Sequence, residues 1–152
     1  MDIGDTAPAF TLEDETGTPR GLDELLEGGP VVLFFYPRAM SAGCTAEACH
    51  FRDLVSEFKA LGAQPVGISR DAVDRQAAFT AEHSLGYPLL SDPGGAVAEA
   101  FGSRRNFALF PTKRKTFLIG EGRKVIGVVT SELSMNAHAD RALAILRENA
   151  AA

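Results

Sequence analysis

The chain carries two cysteines, in the segment Pro37-Arg38-Ala39-Met40-Ser41-Ala42-Gly43-Cys44-Thr45-Ala46-Glu47-Ala48-Cys49-His50. A cysteine thiolate is a nucleophile and a metal ligand, and its surroundings set which role it takes. Cys44, Cys49 and His50 are soft donors. They lack a paired C-x-x-C and a fourth partner in the sequence, so no metal site is expected. Two cysteines cannot form a disulfide scaffold, and C-x4-C is not the C-x-x-C of dithiol oxidoreductases. A buried cysteine taken alone reads as a small inert hydrophobe. Position in the fold separates that reading from a reactive thiol.

The elements around the cysteines supply that position. Val31 to Tyr36 is a continuous apolar run of strand length, as expected of a strand covered on both faces. Pro37 ends it, and a loop over 37–43 leads to a helical pattern with Phe51, Leu54, Val55, Phe58 and Leu61 at 3.6 spacing. Gly62 is the expected stop. Cys44 therefore sits at or near a helix start, beyond the carboxyl end of a central strand, where open α/β sheets place their ligands. Unpaired N–H groups and the helix dipole favour an anion there, and a thiolate is an anion. Ser41 brings a hydroxyl within reach of the sulfur; it can donate to a thiolate or accept from a protonated substrate oxygen. A larger thiolate fraction alone gains only about tenfold near neutrality. Fast chemistry needs further donors that stabilise the transition state and position the electrophile.

The remaining elements alternate. Residues 1–20 read as a short hairpin or extended start around Glu15-Thr16-Gly17, and Leu22, Leu25 and Leu26 as one helical turn stopped by Gly28-Gly29-Pro30. Pro65 to Ser69 is a second buried strand. A helix is predicted over 72–83 with Val73, Ala77, Ala78 and Ala81 inward, then a short strand at Leu89-Leu90 and a helix over about 94–101. Lys115 to Ile119 and Val125 to Val129 form a hairpin across Gly120-Glu121-Gly122-Arg123. A final amphipathic helix covers 136–148, with Ala139, Ala142, Leu143 and Leu146 on one side. His83 and His138 are expected on helix surfaces, and the Phe34-Phe35-Tyr36 cluster and the Phe51/Phe58 pair in the core. Arg104-Arg105 and Lys113-Arg114-Lys115 make a local basic patch, read as a solvated loop. The order βαβα then ββα predicts an α/β protein, a central mixed sheet flanked by helices with an N-terminal hairpin, which fits a thioredoxin-like fold.

Composition bounds the rest. At 152 residues the chain suits one domain over 1–152, large enough to need no disulfide or metal staple. It is 45% hydrophobic and 23% charged, which is globular. Fifteen Lys+Arg against 20 Asp+Glu give a net charge of −5, which disfavours nucleic acid. The sequence lacks a spanning apolar run and a secretory signal, so a cytoplasmic protein with reduced thiols is expected.

Pro37-x-x-x-Ser41-x-x-Cys44 resembles the active-site motif of the peroxiredoxins, thiol peroxidases with a thioredoxin-like fold. Gly43-Cys44-Thr45-x-Glu47-Ala48-Cys49-x-Phe51-Arg52-Asp53 is similar to the bacterioferritin comigratory protein, or peroxiredoxin Q, subfamily. The likeness extends to Gly4-Asp5-x-Ala7-Pro8-x-Phe10, Gly67-Ile68-Ser69, Leu89-Leu90-Ser91-Asp92 and Lys113-Arg114-Lys115-Thr116-Phe117-Leu118-Ile119. The resemblance implies that Cys44 is the peroxidatic nucleophile, which attacks the O–O bond and becomes a sulfenic acid. Pro37 would shield the thiolate, Ser41 and Arg114 would hold the peroxide oxygens, and Glu47 would orient the arginine rather than transfer a proton. Cys49 would be the resolving cysteine. Thioredoxin or a similar dithiol would be the reductant, no cofactor would be needed, and the chain would be a monomer or weak homodimer. Two features depart from the pattern. Ala42 stands where the family usually has Pro, and the Ser103 to Thr112 stretch is more apolar and basic than the subfamily norm.

The resolving role has a geometric consequence. Five residues along a helix give a rise of about 7.5 Å and leave two Cα atoms about 8–9 Å apart. A disulfide needs less than about 7 Å. The helix after Gly43 is therefore expected to be intact in the reduced protein and to unwind when the cysteines pair. The rival reading is a redox-sensing or thiol-relay protein, oxidised at Cys44 without steady turnover.

Overall fold

A computed structural model describes residues 1–102, 114–131 and 134–151. The Ser103 to Thr112 stretch, with Arg104 and Arg105, lies outside the described residues, as does Lys113. Five strands form the main sheet: β3 (Val31–Phe35), β4 (Gln64–Ser69), β5 (Leu89–Ser91), β6 (Lys115–Ile119) and β7 (Val125–Thr130). A separate antiparallel hairpin pairs β1 (Thr11–Glu13) with β2 (Pro19–Gly21). The helices are α1 (Leu22–Leu26), α2 (Ala42–Asp53), α3 (Val55–Ala60), α4 (Val73–His83), α5 (Ala96–Ala100) and α6 (Met135–Ala151).

The sheet order is β5-β4-β3-β6-β7. β3 runs parallel to β4 and antiparallel to β6, so the sheet is mixed and β3 is central. All five β3 residues are buried. Side chains alternate across a strand, and the two cores follow that alternation. Val32, Phe34 and Tyr36 join Cys44, Ala48, Phe51, Ala139 and Ala142 on one side. Val31, Leu33 and Phe35 join Leu22, Phe101, Phe117 and Ile119 on the other. The β1–β2 hairpin protects the β5 edge, where Glu15 accepts the Leu89 N–H at 3.2 Å.

Two expectations are corrected. The single helical pattern over 51–61 is two helices. The chain turns at Leu54, whose N–H is shared by the His50 and Phe51 carbonyls. The inward face of α4 is Gln76 and Phe79, while Ala78 and Ala81 are exposed and Val73 and Ala77 half-buried. Gln76 is buried because its polar atoms are occupied. Its side-chain N–H groups donate to Ser69 Oγ and the Leu90 carbonyl, and its oxygen accepts from Tyr36 Oη. A satisfied buried glutamine reads as a surface residue in any hydropathy pattern.

The register sets up the site. Phe35 pairs with Lys115 and Phe34 with Thr116. The residue before β6, Arg114, is thereby carried to the end of the sheet where β3 runs into Pro37. The inside of that end is packed by rings: Phe34 stacks on Phe51 with centroids 4.2 Å apart. Gly67 of β4 makes room for them. A Cβ there would lie 3.0 Å from the Phe34 ring and 2.7 Å from Leu89.

Candidate active site

The chain leaves β3 through Tyr36, which is buried, and Pro37, which is half-buried. Met40 then takes φ +67°, the left-handed region that non-glycine residues seldom occupy, and turns the chain into α2. Asp71 holds this loop. Its Oδ2 accepts the Ala39 N–H and the Ser69 hydroxyl, both at 2.6 Å. Ser41 is the N-cap of α2, and its carbonyl accepts the Thr45 N–H at 2.9 Å. Ala42, Gly43 and Cys44 are thus the first three helical residues, whose N–H groups have no partner within the helix. Side chains on a helix tilt toward its N-terminus, so the Cys44 sulfur lies at the positive end of the helix dipole.

Cys44 is buried, with 1% of its surface exposed. Arg114 Nη2 is 3.4 Å from its sulfur, and Nη1 donates to Glu47 Oε1 at 2.8 Å. One guanidinium therefore touches both the thiol and the carboxylate one turn further along α2. Burial works against the Arg114 charge. The Glu47 carboxylate and the Cys44 sulfur outweigh it and hold the guanidinium above its ordinary pKa. Gly43 provides the space: a Cβ there would sit 3.3 Å from Arg114 Nη2 and 3.4 Å from Met135 Sδ.

Four of the residues singled out from the sequence converge within this arrangement: Cys44, Glu47, Arg114 and Gly43. Pro37, half-buried, begins the loop that leads from β3 to Ser41 and Cys44. The Ser41 hydroxyl is directed elsewhere. It donates to the Arg38 carbonyl at 2.9 Å and makes no cap bond. Cys49 lies on α2 like Cys44, half-buried, and both thiols are free. His50 pairs outward with Asp140 at 2.7 Å.

The AhpC/TSA family profile matches residues 3–128. The chain belongs to the AhpC/TSA family of peroxiredoxins. The crystal structure of the peroxidoxin BcpB from Mycobacterium tuberculosis superposes with a TM-score of 0.93 at 57% identity, over 97% of each chain. The bacterioferritin comigratory protein of Xanthomonas campestris, studied for its alkyl peroxide reduction activity, gives 0.85 at 30% identity, covering 93% of this chain and 92% of that one. The chloroplastic peroxiredoxin Q of Sedum lineare is 37% identical over 145 residues, 95% of this chain and 77% of its own. As a peroxiredoxin, the chain is a thiol peroxidase with a thioredoxin-like fold.

Three residues of this peroxiredoxin's site escape sequence reasoning. Asp71, which anchors the loop, is signalled only by the Ser69-x-Asp71 pattern at a strand end. Tyr87 is buried and donates to the Ala48 carbonyl of α2 at 2.6 Å. Burial, more than the nearby acidic groups, raises its pKa well above the ordinary tyrosine value. His138 overturns the expectation of a surface histidine: it is fully buried. It shares the inward stripe of α6 with Ala139 and Ala142, and spacing by four from Ala142 was the available signal.

Proposed function

We propose that the reduced protein consumes hydrogen peroxide and organic hydroperoxides through Cys44. The Cys44 thiolate attacks one peroxide oxygen, the O–O bond breaks, and the other oxygen leaves as water or an alcohol after taking a proton. Cys44 becomes a sulfenic acid. The Cys49 thiol then displaces water from that sulfur, forming a Cys44–Cys49 disulfide. Thioredoxin or a similar dithiol reduces it, with the dithiol oxidised in turn. Sulfur carries all the chemistry. In this reading Arg114 and Ser41 hold the peroxide oxygens, Pro37 shields the thiolate, and Glu47 orients Arg114. Alkyl peroxide reduction in the Xanthomonas relative supports including organic hydroperoxides.

The observation that carries this reading is the Arg114 guanidinium, 3.4 Å from a cysteine sulfur at a helix N-terminus. A fixed cation there stabilises the thiolate and the negative charge that develops on the leaving oxygen. Ser41 serves only after its hydroxyl turns from the Arg38 carbonyl.

The disulfide step requires α2 to open. Both cysteines lie within its Ala42–Asp53 span. Unwinding breaks the Tyr87–Ala48 hydrogen bond and removes Phe51 from its stack on Phe34. Those losses are on the order of a few kcal/mol. That is small enough for opening during turnover and large enough to keep the reduced helix closed.

Among the described residues no helix is long and apolar enough to cross a membrane. The reading puts the chain in the cytoplasm as a monomer or weak homodimer, where reductants maintain the thiols.

Peroxide consumption by the reduced protein and two variants tests the assignment. Cys44→Ser is expected to consume none above background. Cys49→Ser is expected to consume one equivalent and then stop turning over with thioredoxin. Substantial activity in Cys44→Ser overturns it.

A further inference from the structure

His138 lies outside the motif that assigns the site, yet it is wired into it. Its Nε2 is 2.7 Å from the Ser131 carbonyl oxygen, and a carbonyl only accepts, so Nε2 carries a proton. Its Nδ1 is 2.8 Å from Thr116 Oγ1. Thr116 lies in β6 two residues beyond Arg114 and pairs with Phe34 of β3. The same Nε2 stands 3.6 Å from Glu47 Oε2, with both side chains fully buried. Glu47 thus presents one oxygen to Arg114 and the other to the Nε2 edge of the imidazole, at ion-pair range, while the Nε2 proton itself goes to the Ser131 carbonyl. A carboxylate removed from water is costly unless donors and charges surround it. His138 sets the polar Nε2 edge of its ring against the Glu47 carboxylate, held in orientation by β6, by the end of β7 and by α6.

We propose that His138 is a positioning residue. It fixes the Glu47 carboxylate, which fixes the Arg114 guanidinium against Cys44, so that α6 sets the reactivity of a thiol on α2. This rests on the reading of Cys44 as the reacting thiol. Without the imidazole, the buried Glu47 carboxylate loses the polar ring edge that stands 3.6 Å from Oε2, and Arg114 Nη1 then bonds a carboxylate held less firmly in place.

The test uses His138→Leu, which keeps bulk without a donor, and His138→Gln, which restores an N–H at similar reach. Each is made alone and with Glu47→Gln. The readouts are the rate of Cys44 alkylation by iodoacetamide across pH and the rate of peroxide consumption. His138→Leu is expected to lower both rates about tenfold, in line with loosening of one buried ion pair at the reacting group, and to move the alkylation profile toward higher pH. His138→Gln is expected to recover most of the loss. In the Glu47→Gln background the Leu change is expected to add less than about twofold, because the two residues act as one unit. An unmoved alkylation profile in His138→Leu, or the same tenfold loss in the Glu47→Gln background, overturns the proposal. If His138→Leu does not fold, the imidazole NMR signals of His138 in the otherwise wild-type chain decide it. Glu47→Gln must shift them, and unchanged signals overturn the proposal. Alkylation needs no peroxide. A wild-type protein that alkylates at Cys44 but consumes no peroxide therefore refutes the peroxidase reading while leaving the His138 test standing.

Discussion

The two sides of the central sheet are built by the same alternation along β3 but bury different things. The side facing α1 and α5 is dominated by hydrocarbon: Leu22, Leu33, Phe35, Phe101, Phe117 and Ile119, with ring centroids 5.3–5.9 Å apart, and its buried Asp92 carboxylate serves the backbone, accepting the Val97 and Ala98 N–H groups of α5. The side facing α2 and α6 buries a carboxylate, a guanidinium, an imidazole and both tyrosines among its apolar residues. A buried ion pair is weak evidence for stability, since apolar replacements of the same shape often serve as well. The first side therefore holds the fold together, and the second holds groups in place for chemistry.

The largest test of that contrast is Phe117→Ala. It is expected to cost about 3–5 kcal/mol of stability in chemical denaturation, while Cys44 alkylation in the remaining folded protein changes less than about twofold. A large loss of reactivity in folded protein would break the contrast. Arg114→Lys probes the opposite side. It keeps the charge and loses the fork that spans sulfur and carboxylate, so the peroxide rate constant is expected to fall about 100-fold. Stability should change by only about 1 kcal/mol.

A smaller effect separates the two sides by pH. Burial first, only partly offset by hydrogen bonding with Ser69 and Gln76, raises the Tyr36 pKa far above its ordinary value, and burial raises Tyr87 likewise. The unfolded chain then loses phenolic protons above about pH 10 while the folded chain keeps them. Stability is complete below that pH and falls as pH rises above it, by up to about 1.4 kcal/mol per pH unit for each tyrosine. Tyr36→Phe and Tyr87→Phe are each expected to flatten the fall between pH 10 and 11 in denaturation midpoints. An unchanged slope would deny that burial keeps the phenols protonated inside the polar side. The smallest effect is Gly43→Ala. Alanine improves helix propensity by up to about 1 kcal/mol, yet its Cβ would press on Arg114 Nη2 at 3.3 Å. Stability should hold or rise slightly while the peroxide rate drops a few-fold.

The apolar side was the more legible in the sequence. The run Val31 to Tyr36, the leucines of α1 and the stripe of α6 are periodic, and periodicity is what a sequence displays. The sequence motif also pointed to Cys44, Glu47 and Arg114. Their contact depends on the pairing of Phe35 with Lys115, a long-range register that no local pattern contains. Hydropathy cannot distinguish a polar residue in water from one whose partners arrive from distant strands, so the sequence expects His138 on a surface and does not single out Gln76. The break at Leu54 leaves no mark in the sequence because both helices continue the same apolar spacing.

The most direct measurement is the intact mass of the fully reduced protein after one equivalent of hydrogen peroxide, followed by peptide mapping. The account predicts a loss of two hydrogens, located in a Cys44–Cys49 link, with amide protection over 44–52 lost at the same time. An unchanged mass with the peroxide still present would contradict Cys44 as the reacting thiol. A stable gain of one oxygen on Cys44, with α2 still protected, would contradict Cys49 as its partner.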